Sequence, residues 1–505
     1  MEKNTIIELK IEDYTTEGFG VGHAEGMAVF VKDAVIGDEL KVKIVKNKKT
    51  YAYGRIEEIL RPGADRVAAP CPSARACGGC QLQMTAYPAQ LRWKEDKVRN
   101  CLQRIGGFKV PPTGEPAEAS KNAADTQTCP ASEGAADTQA CLAEAGGYDL
   151  DAFLPVIGME EPWHYRNKAQ LPVRADKEGR PVAGFFAGRT HSIIEQKDCR
   201  IGQKDNQEVV DLVLGWMQQQ KIAAYNETTG SGLIRHICMR SGYATGERMV
   251  ILVLNRRESV LGKHLGRKLE ALADQLMKLE GMTSVILNYN AEKTNVIYGR
   301  SFETLRGRDV IEDTIGEVRY QISARSFYQV NPIQTQKLYA AALEYAGLTG
   351  KEKVWDLYCG IGTISLFLAQ KAKEVYGVEI VPEAIEDARK NAALNGITNA
   401  QFYVGKAEEV LPKLRREQGI EADVIVIDPP RKGCEEIVLQ TMLDMAPERI
   451  VYVSCDPATM ARDLKILCGG DYHLSRVQPV DMFPHTTSVE NVCLLTKKHG
   501  MEIKG

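Results

Sequence analysis

Four short apolar runs in the last third of the chain, each closed by a loop rich in Gly, Pro, Asp or Cys, limit most strongly what this polypeptide can fold into. They are KVWDLYCGIG, EVYGVEI, ADVIVIDPP and RIVYVSCDP. Between them lie stretches with helical apolar spacing, such as ISLFLAQKA and AIEDARKNAALNG. Short apolar strands that alternate with amphipathic helices build parallel βαβ units, and several in succession make a doubly wound α/β sheet with helices on both faces. Ligands in such sheets bind outside the carboxyl ends of the strands. The four loops are therefore the first place to look for chemistry.

At 505 residues the chain is long for one domain. Residues 1–60 read as short strands with period-two patterning around the turn GFGVGHAEG, the pattern of a small β-barrel. Its stretch from Lys41 to Arg55 interleaves Lys41, Lys43, Lys46, Lys48, Lys49 and Arg55 with Tyr51 and Tyr53. That mixture suits phosphate contact with base stacking, and equally suits an edge strand guarded by lysines. Residues 61–325 read as a second β-rich domain, interrupted at about 112–147 by a low-complexity spacer in which AADTQTC recurs as AADTQAC. Residues 326–505 form the α/β domain.

Hydrophobic residues make up 44% and charged residues 26%, which excludes wholesale disorder. The formal net charge of −3 means that any nucleic-acid partner must be held by local basic patches. The opening MEKNTIIELKIEDY lacks the apolar core of a signal peptide, and no run approaches a membrane span, so a cytoplasmic protein with no membrane partner is expected. Thirteen cysteines without an export signal argue against a disulfide framework and for metal binding, catalysis or burial.

In VWDLYCGIG, Asp356 stands at a strand end, and Gly360 and Gly362 allow close backbone approach to a ligand as a helix opens. Glu379 ends the next strand at about the offset where an acid grips ribose hydroxyls. With two glycines and no third, a nucleoside-type cofactor such as S-adenosylmethionine fits better than a dinucleotide. IDPPRKG places Asp428 at the third strand end, with Pro429 and Pro430 fixing the loop and Arg431 and Lys432 adding positive charge. VSCDP places Cys455 at the fourth, where a thiolate would be the strongest nucleophile available. Cys359 and Cys434 lie near these loops without following that strand. Cys101, Cys238, Cys468 and Cys493 sit in apolar surroundings as core residues, and Cys129 and Cys141 fall in the spacer with no role. Cys71, Cys77 and Cys80 are spaced C-x5-C-x2-C, and Cys199 in KDCRIG offers a distant fourth thiol. Four thiolates suit zinc or a four-iron cluster, and spacing alone does not choose between them.

Taken in order, CPSARACGGC, DCRIG, SFYQVNP, DLYCGIG, VEI, DPPRKG, SCDP and SVENV resemble the RNA uracil-5-methyltransferase family, in particular its 23S ribosomal-RNA branch, which carries an N-terminal TRAM domain and an iron–sulfur cluster. The resemblance implies a Rossmann-like methyltransferase domain, an OB-like TRAM barrel, S-adenosylmethionine as cofactor, and a 4Fe-4S cluster on Cys71, Cys77, Cys80 and Cys199. Carried over residue by residue, Cys455 is the nucleophile and Glu490 in SVENV the base. Gln329 in SFYQVNP, Tyr358, Gly360, Glu379 and Asp428 form the cofactor and uracil pocket, and Phe327 offers a stacking face. Arg235 in GLIRH is either a substrate contact or a strand-end arginine in a salt bridge, and His485 either tunes the site or packs its loop.

The implied partner is RNA, 23S ribosomal RNA first and transfer RNA as the alternative, bound by a monomer. A stacked uracil exposes neither face to a thiolate, so the target must be single-stranded or flipped out. Two other classes remain open at this point: an RNA amino-group methyltransferase, since Asp-Pro-Pro tracts also occur there, and a non-catalytic RNA-binding assembly factor.

Overall fold

The computed structural model describes residues 2–114, 147–188, 190, 192–195 and 197–498. Cys129, Cys141 and nearly all of the spacer fall outside the described residues. The chain forms two compact bodies. One comprises Met1–Gln90, Met159–Ile333 and Phe483–Thr487, the other Leu91–Gly158, Gln334–Met482 and Ser488–Gly505.

In the first body, the strands Ile6–Lys10, Asp13–Tyr14, Gly20–Ala24, Met27–Val31, Glu39–Asn47 and Tyr51–Arg61 form one six-stranded sheet. Alternation places Leu9, Val29, Val31, Leu40, Val42 and Ile44 in its core. Gly54 sits where strands press together, since a Cβ there would fall 2.1 Å from Val42 Cγ1. The outer face displays Phe30, Tyr51 and Tyr53 with ring centroids 5.3–5.8 Å apart. Of the nearby cations, Lys41 is paired with Glu58 and Arg55 with Glu57, while Lys46, Lys48 and Lys49 are exposed.

The same body holds a seven-stranded sheet whose middle strands, Ile234–Ser241, Arg248–Leu254 and Met282–Tyr289, are buried almost throughout. The helices Asn206–Gln219 and Lys263–Leu276 bury Val213, Trp216 and Met217, and Leu269, Leu272 and Leu276, on its core. Valine and isoleucine in those central strands fit a pleated surface covered by helices.

The second body is built on a nine-stranded sheet, with strands labelled in chain order: β1 (Phe108–Lys109), β2 (Tyr148–Phe153), β3 (Lys353–Leu357), β4 (Glu374–Glu379), β5 (Ala400–Val404), β6 (Val424–Ile427), β7 (Arg449–Ser454), β8 (Tyr472–Val480) and β9 (Glu490–Lys497). Their spatial order is β5-β4-β3-β6-β7-β9-β8-β2-β1. Strands β3 to β7 run parallel, and β9 is antiparallel to both β7 and β8. The helices α1 (Thr363–Ala369), α2 (Pro382–Leu394), α3 (Ala407–Gln418), α4 (Glu436–Met445) and α5 (Pro457–Gly469) connect the parallel strands and continue to β8.

This is the doubly wound α/β fold that the strand–helix alternation predicts. The chain leaves β3 for β4 on one side and returns to β6 on the other, so a crevice opens at their carboxyl ends. At the far edge, β1 and β2 come from the residues that flank the spacer, and these short runs carry no α/β signature in the sequence. A fully buried ion pair, Lys94 to Asp481 at 2.5 Å, ties the helix Tyr87–Cys101 to the chain just after β8. Among the described residues, no helix is long and apolar enough to cross a membrane.

Candidate active site

The crevice in the second body is made by four consecutive strand ends. After β3 the backbone turns sharply: Tyr358 has φ +63°, Gly360 +55° and Gly362 +79°. A positive φ costs a tyrosine about 1 kcal/mol or more, and such strain persists only where the surroundings impose it. The turn aims the Gly360 N–H at the Glu379 carboxylate, 3.3 Å away, while the other oxygen of that carboxylate accepts the Val381 N–H at 3.0 Å. Glu379 is thus fixed beside the glycine loop at the end of β4, at a spacing suited to ribose hydroxyls. Beneath the loop, Asp356 is fully buried; Ser365 donates to its Oδ2 at 2.5 Å, and among the described residues Oδ1 has no hydrogen-bond partner. Burial, with Asp428 and Glu379 nearby, pushes its carboxyl up to about 7. Cys359 is buried behind the loop, its thiol raised by burial.

Asp428 follows β6, and burial pushes its carboxyl up to about 6. The DPPRKG loop that it opens is clamped to α5. Thr459 Oγ1 donates to the Arg431 carbonyl at 3.2 Å, and Arg462 donates to the carbonyls of Lys432 and Cys434 at 3.1 and 3.2 Å. Asp463 Oδ2 accepts both the Cys434 N–H at 2.7 Å and the Tyr452 hydroxyl at 2.6 Å. Gly433 has φ +75°, and a Cβ there would fall 2.6 Å from that carboxylate. Cys434 is thereby committed to this packing. None of Thr459, Arg462, Asp463 or Tyr452 is singled out by a motif; a buried acid seven residues into a helix can be read from sequence only once its partners are known.

Cys455 stands between β7 and α5. Asp456 caps α5, accepting the N–H groups of Ala458 and Thr459 at 2.9 and 3.2 Å, and Pro457 occupies the first turn. The thiol therefore lies next to a helix N-terminus, which favours a thiolate by about 0.3–1 kcal/mol. In the protein alone burial dominates, followed by the negative charges of Glu490 and Asp428, and the thiol is pushed up to about 11 against the opposing Arg431.

Glu490 begins β9. Ser454 pairs with Asn491 across the β7–β9 ladder, so the next position on each strand is Cys455 on one side and Glu490 on the other. Glu490 is 4% exposed. Burial and the Asp428 charge push its carboxyl up to about 8, again opposed by Arg431. A thiol and a carboxyl that retains its proton near neutral pH thus share one end of the sheet, with Asp428 one strand from β7, the glycine loop two and Glu379 three.

Gln329 belongs to the first body, in the irregular segment after the hairpin Val310–Ile315/Val318–Ser323. Buried side chains of the central sheet hold that segment: Arg240 donates to the Ser326 carbonyl at 2.5 Å and Asn167 to the Gln329 carbonyl at 3.0 Å. Phe327 is 69% exposed. Arg235 is 3% exposed and donates to the carbonyls of Asn290, Glu292 and Thr294, and among the described residues it forms no ion pair. His485 packs, its ring stacked on Trp163 at 3.7 Å and its backbone N–H bonded to Gln90.

Cys71, Cys77, Cys80 and Cys199 line one cavity of about 360 Å³ in the first body. Burial pushes the Cys80 thiol up to about 12, with the other three cysteines adding to the rise. Backbone N–H groups point at the sulfurs, from Gly79 to Cys77 at 3.4 Å and from Ile201 and Gly202 to Cys199. Such donors are what thiolates need once ionised. Among the described residues, no three His, Cys, Asp or Glu side chains stand close enough together to hold a metal ion, so the four sulfurs share a cavity without forming a closed ligand set.

The fold and crevice are those of an S-adenosylmethionine-dependent methyltransferase. The family profile for tRNA (Uracil-5-)-methyltransferase matches residues 160–498, and that for the TRAM domain matches residues 2–56. The chain belongs to this uracil-5-methyltransferase family, whose members are S-adenosylmethionine-dependent RNA methyltransferases, and it carries an N-terminal TRAM domain. It is 47% identical over 99% of its length to a protein of Halalkalibacterium halodurans described as an uncharacterized RNA methyltransferase, of which 98% is covered. A protein of Clostridium acetobutylicum with the same description is 44% identical, with 98% of each chain covered. The crystal structure of Pyrococcus abyssi tRNA (uracil-54, C5)-methyltransferase with S-adenosyl-L-homocysteine superposes with a TM-score of 0.71 and 27% identity, covering 97% of this chain and 100% of that one.

Proposed function

We propose that this enzyme methylates carbon 5 of a specific uridine in 23S ribosomal RNA through a covalent adduct between Cys455 and carbon 6 of the base. The single observation that carries the reading is the register that sets Cys455 opposite Glu490 at the end of the β7–β9 pair. Carbon 5 of uracil is too weak a nucleophile to attack a sulfonium methyl group unaided. The Cys455 thiol first gives its proton to water; the thiolate sulfur then bonds to carbon 6, and the electron pair of the carbon 5–carbon 6 double bond moves into the carbon 5–carbon 4–oxygen 4 enolate. Carbon 5 then takes the methyl group, and the cofactor leaves as the neutral thioether. Glu490, as carboxylate, removes the carbon 5 proton, and the sulfur–carbon bond breaks to restore the thiolate.

Tyr358, Gly360 and Glu379 hold the cofactor and Asp428 holds cofactor and uracil, while Gln329, on the first body, is a further cofactor contact. Phe327 stacks on a base. In the proposed division, residues 1–60 bind RNA through Phe30, Tyr51, Tyr53 and the exposed lysines, residues 61–325 carry the cysteine cavity, and residues 326–505 catalyse. The enzyme acts as a cytoplasmic monomer, where its ribosomal substrate is assembled.

Cys71, Cys77, Cys80 and Cys199 would hold a 4Fe-4S cluster, supported by their shared cavity and the N–H groups aimed at Cys77 and Cys199. Its contribution would be structural or RNA-positioning. Protein purified without oxygen should be brown with iron near four per chain; zinc or no metal contradicts the cluster and leaves the crevice chemistry untouched.

A transfer-RNA target is the second reading, favoured by the similarity to the Pyrococcus abyssi tRNA (uracil-54, C5)-methyltransferase. Mass-spectrometric mapping of 5-methyluridine in ribosomal and transfer RNA, with and without the gene, decides between them. Loss of the mark from 23S RNA is expected; loss from transfer RNA alone selects the second reading, and no loss from either contradicts both.

A further inference from the structure

Beyond the strand Arg248–Leu254, where the chain passes Arg256 and Arg257, the first body has a groove of about 460 Å³. Its other wall is the segment from Asn290 to Ser301, which carries Arg300. That segment is held from beneath by three side chains that are almost wholly buried, Arg235, Asn288 and Asn290. Arg235 takes the carbonyls of Asn290, Glu292 and Thr294 at 2.7–3.2 Å. Asn290 takes those of Val296 and Ile297 at 2.8 and 3.0 Å, and Asn288 those of Gly299 and Ser301 at 3.1 and 3.0 Å. Gly299 returns its N–H to Asn288 at 2.8 Å, and a Cβ at Gly299 would fall 1.9 Å from the Tyr289 carbonyl. This surface segment is thus fixed in one shape, and the ordering cost of a binding surface has been met during folding.

Three arginines, Arg256, Arg257 and Arg300, and two glutamates, Glu258 and Glu292, line this groove, a formal excess of one positive charge. Glu258 accepts the Ser301 hydroxyl. Arg256, Arg257 and Arg300 are exposed, and among the described residues their side chains make no hydrogen bond or ion pair. Other arginines of the same sheet are paired, Arg248 with Glu208, Arg306 with Asp274 and Arg308 with Glu247. Three unpaired planar guanidinium groups on a preset frame match phosphate oxygens, which they can bind two bonds at a time.

We propose that this groove grips the phosphodiester backbone of the substrate RNA, as a contact separate from the crevice that receives the uridine; the inference rests on the reading of the chain as an RNA uracil-5-methyltransferase. Wild-type protein is first shown to methylate its RNA. Binding of that RNA is then measured against salt concentration for wild type, for Arg256→Ala/Arg257→Ala/Arg300→Ala, for the corresponding triple lysine variant, and for Arg306→Ala as a paired-arginine control. Each single-strand phosphate contact contributes roughly 0.7 to the slope of log affinity against log salt, so the triple alanine variant should lose about 2 from that slope. Its KM for RNA should rise about tenfold or more, while KM for S-adenosylmethionine stays in place. The lysine variant should keep most of the slope and Arg306→Ala all of it. An unchanged slope and KM in the triple alanine variant, with wild type active, overturns the groove alone. A wild type that methylates no RNA overturns the groove together with the enzyme reading.

Discussion

Cys455 and Glu490 stand opposite one another across two antiparallel strands, one residue beyond the Ser454–Asn491 pair. The ladder register sets this relationship: Glu490 opens β9, and Cys455 is the first residue past the end of β7. The surrounding burial raises both groups, to about 11 for the thiol and about 8 for the carboxyl. The protein at rest is consequently protonated at both sites, and each proton must leave at a defined step.

The first prediction concerns that base. Glu490 can accept the carbon 5 proton only after losing its own, so wild-type turnover should rise with pH through about 8. Glu490→Gln should lack this rise, complete the methyl transfer once, and accumulate methylated RNA joined to protein, visible as a denaturation-resistant complex on a gel. Normal turnover by the glutamine variant would contradict the role.

The same burial has a cost in stability. The folded protein keeps the Glu490 proton up to about pH 8, whereas an unfolded chain loses it near the usual glutamate value of about 4.3. Stability from this group is therefore complete below that value and declines as pH rises toward 8. Glu490→Gln removes the decline, so its thermal midpoint should exceed that of wild type by several degrees at pH 8.5 and match it near pH 4.5. A midpoint difference independent of pH would show that the carboxyl does not titrate as described.

Asp463 joins three elements, accepting from the Cys434 N–H just past the DPPRKG loop and from Tyr452 on β7 while sitting on α5. Hydrogen bonds to a charged group contribute about 1.5–3 kcal/mol. Asp463→Ala should lower kcat by roughly ten- to a hundredfold through misplacement of Asp428 and Arg431, and Tyr452→Phe, which removes one donor, should lower it less. Unchanged kcat would show that the clamp does not serve the site.

Lys94 and Asp481 are both fully buried at 2.5 Å. Breaking such a pair leaves an uncompensated charge and costs about 3–5 kcal/mol, whereas replacing both ions with apolar groups costs far less. Lys94→Ala should unfold at clearly lower denaturant concentration than wild type, and Lys94→Met/Asp481→Leu should regain most of the loss. A single variant within about 1 kcal/mol of wild type would contradict the pairing.

The strand–helix alternation and the loops at its strand ends were legible from local sequence because both depend on short-range patterns: period, turn residues, and the placement of Asp428 or Cys455 after an apolar run. What was not legible depends on pairs distant in the chain. The Lys94–Asp481 bond joins residues 387 positions apart. Strands β1 and β2 join the sheet beside β8 with no periodicity of their own to announce them. Arg235 illustrates the limit most clearly: GLIRH suggested a substrate contact or a salt bridge, and the side chain instead caps three carbonyls of a loop more than 50 residues away. The unusual demand on Tyr358, a positive φ without glycine, also has no counterpart in residue type.

The most direct test of the account uses RNA with 5-fluorouridine at the target position. Fluorine at carbon 5 cannot be removed as a proton, so the reaction should stop after methyl transfer with the sulfur–carbon 6 bond intact. Digestion and mass spectrometry should then place one methylated fluorouridine on the peptide that contains Cys455. Attachment at another residue, or no attachment while S-adenosylmethionine is consumed normally, would contradict the covalent role of Cys455.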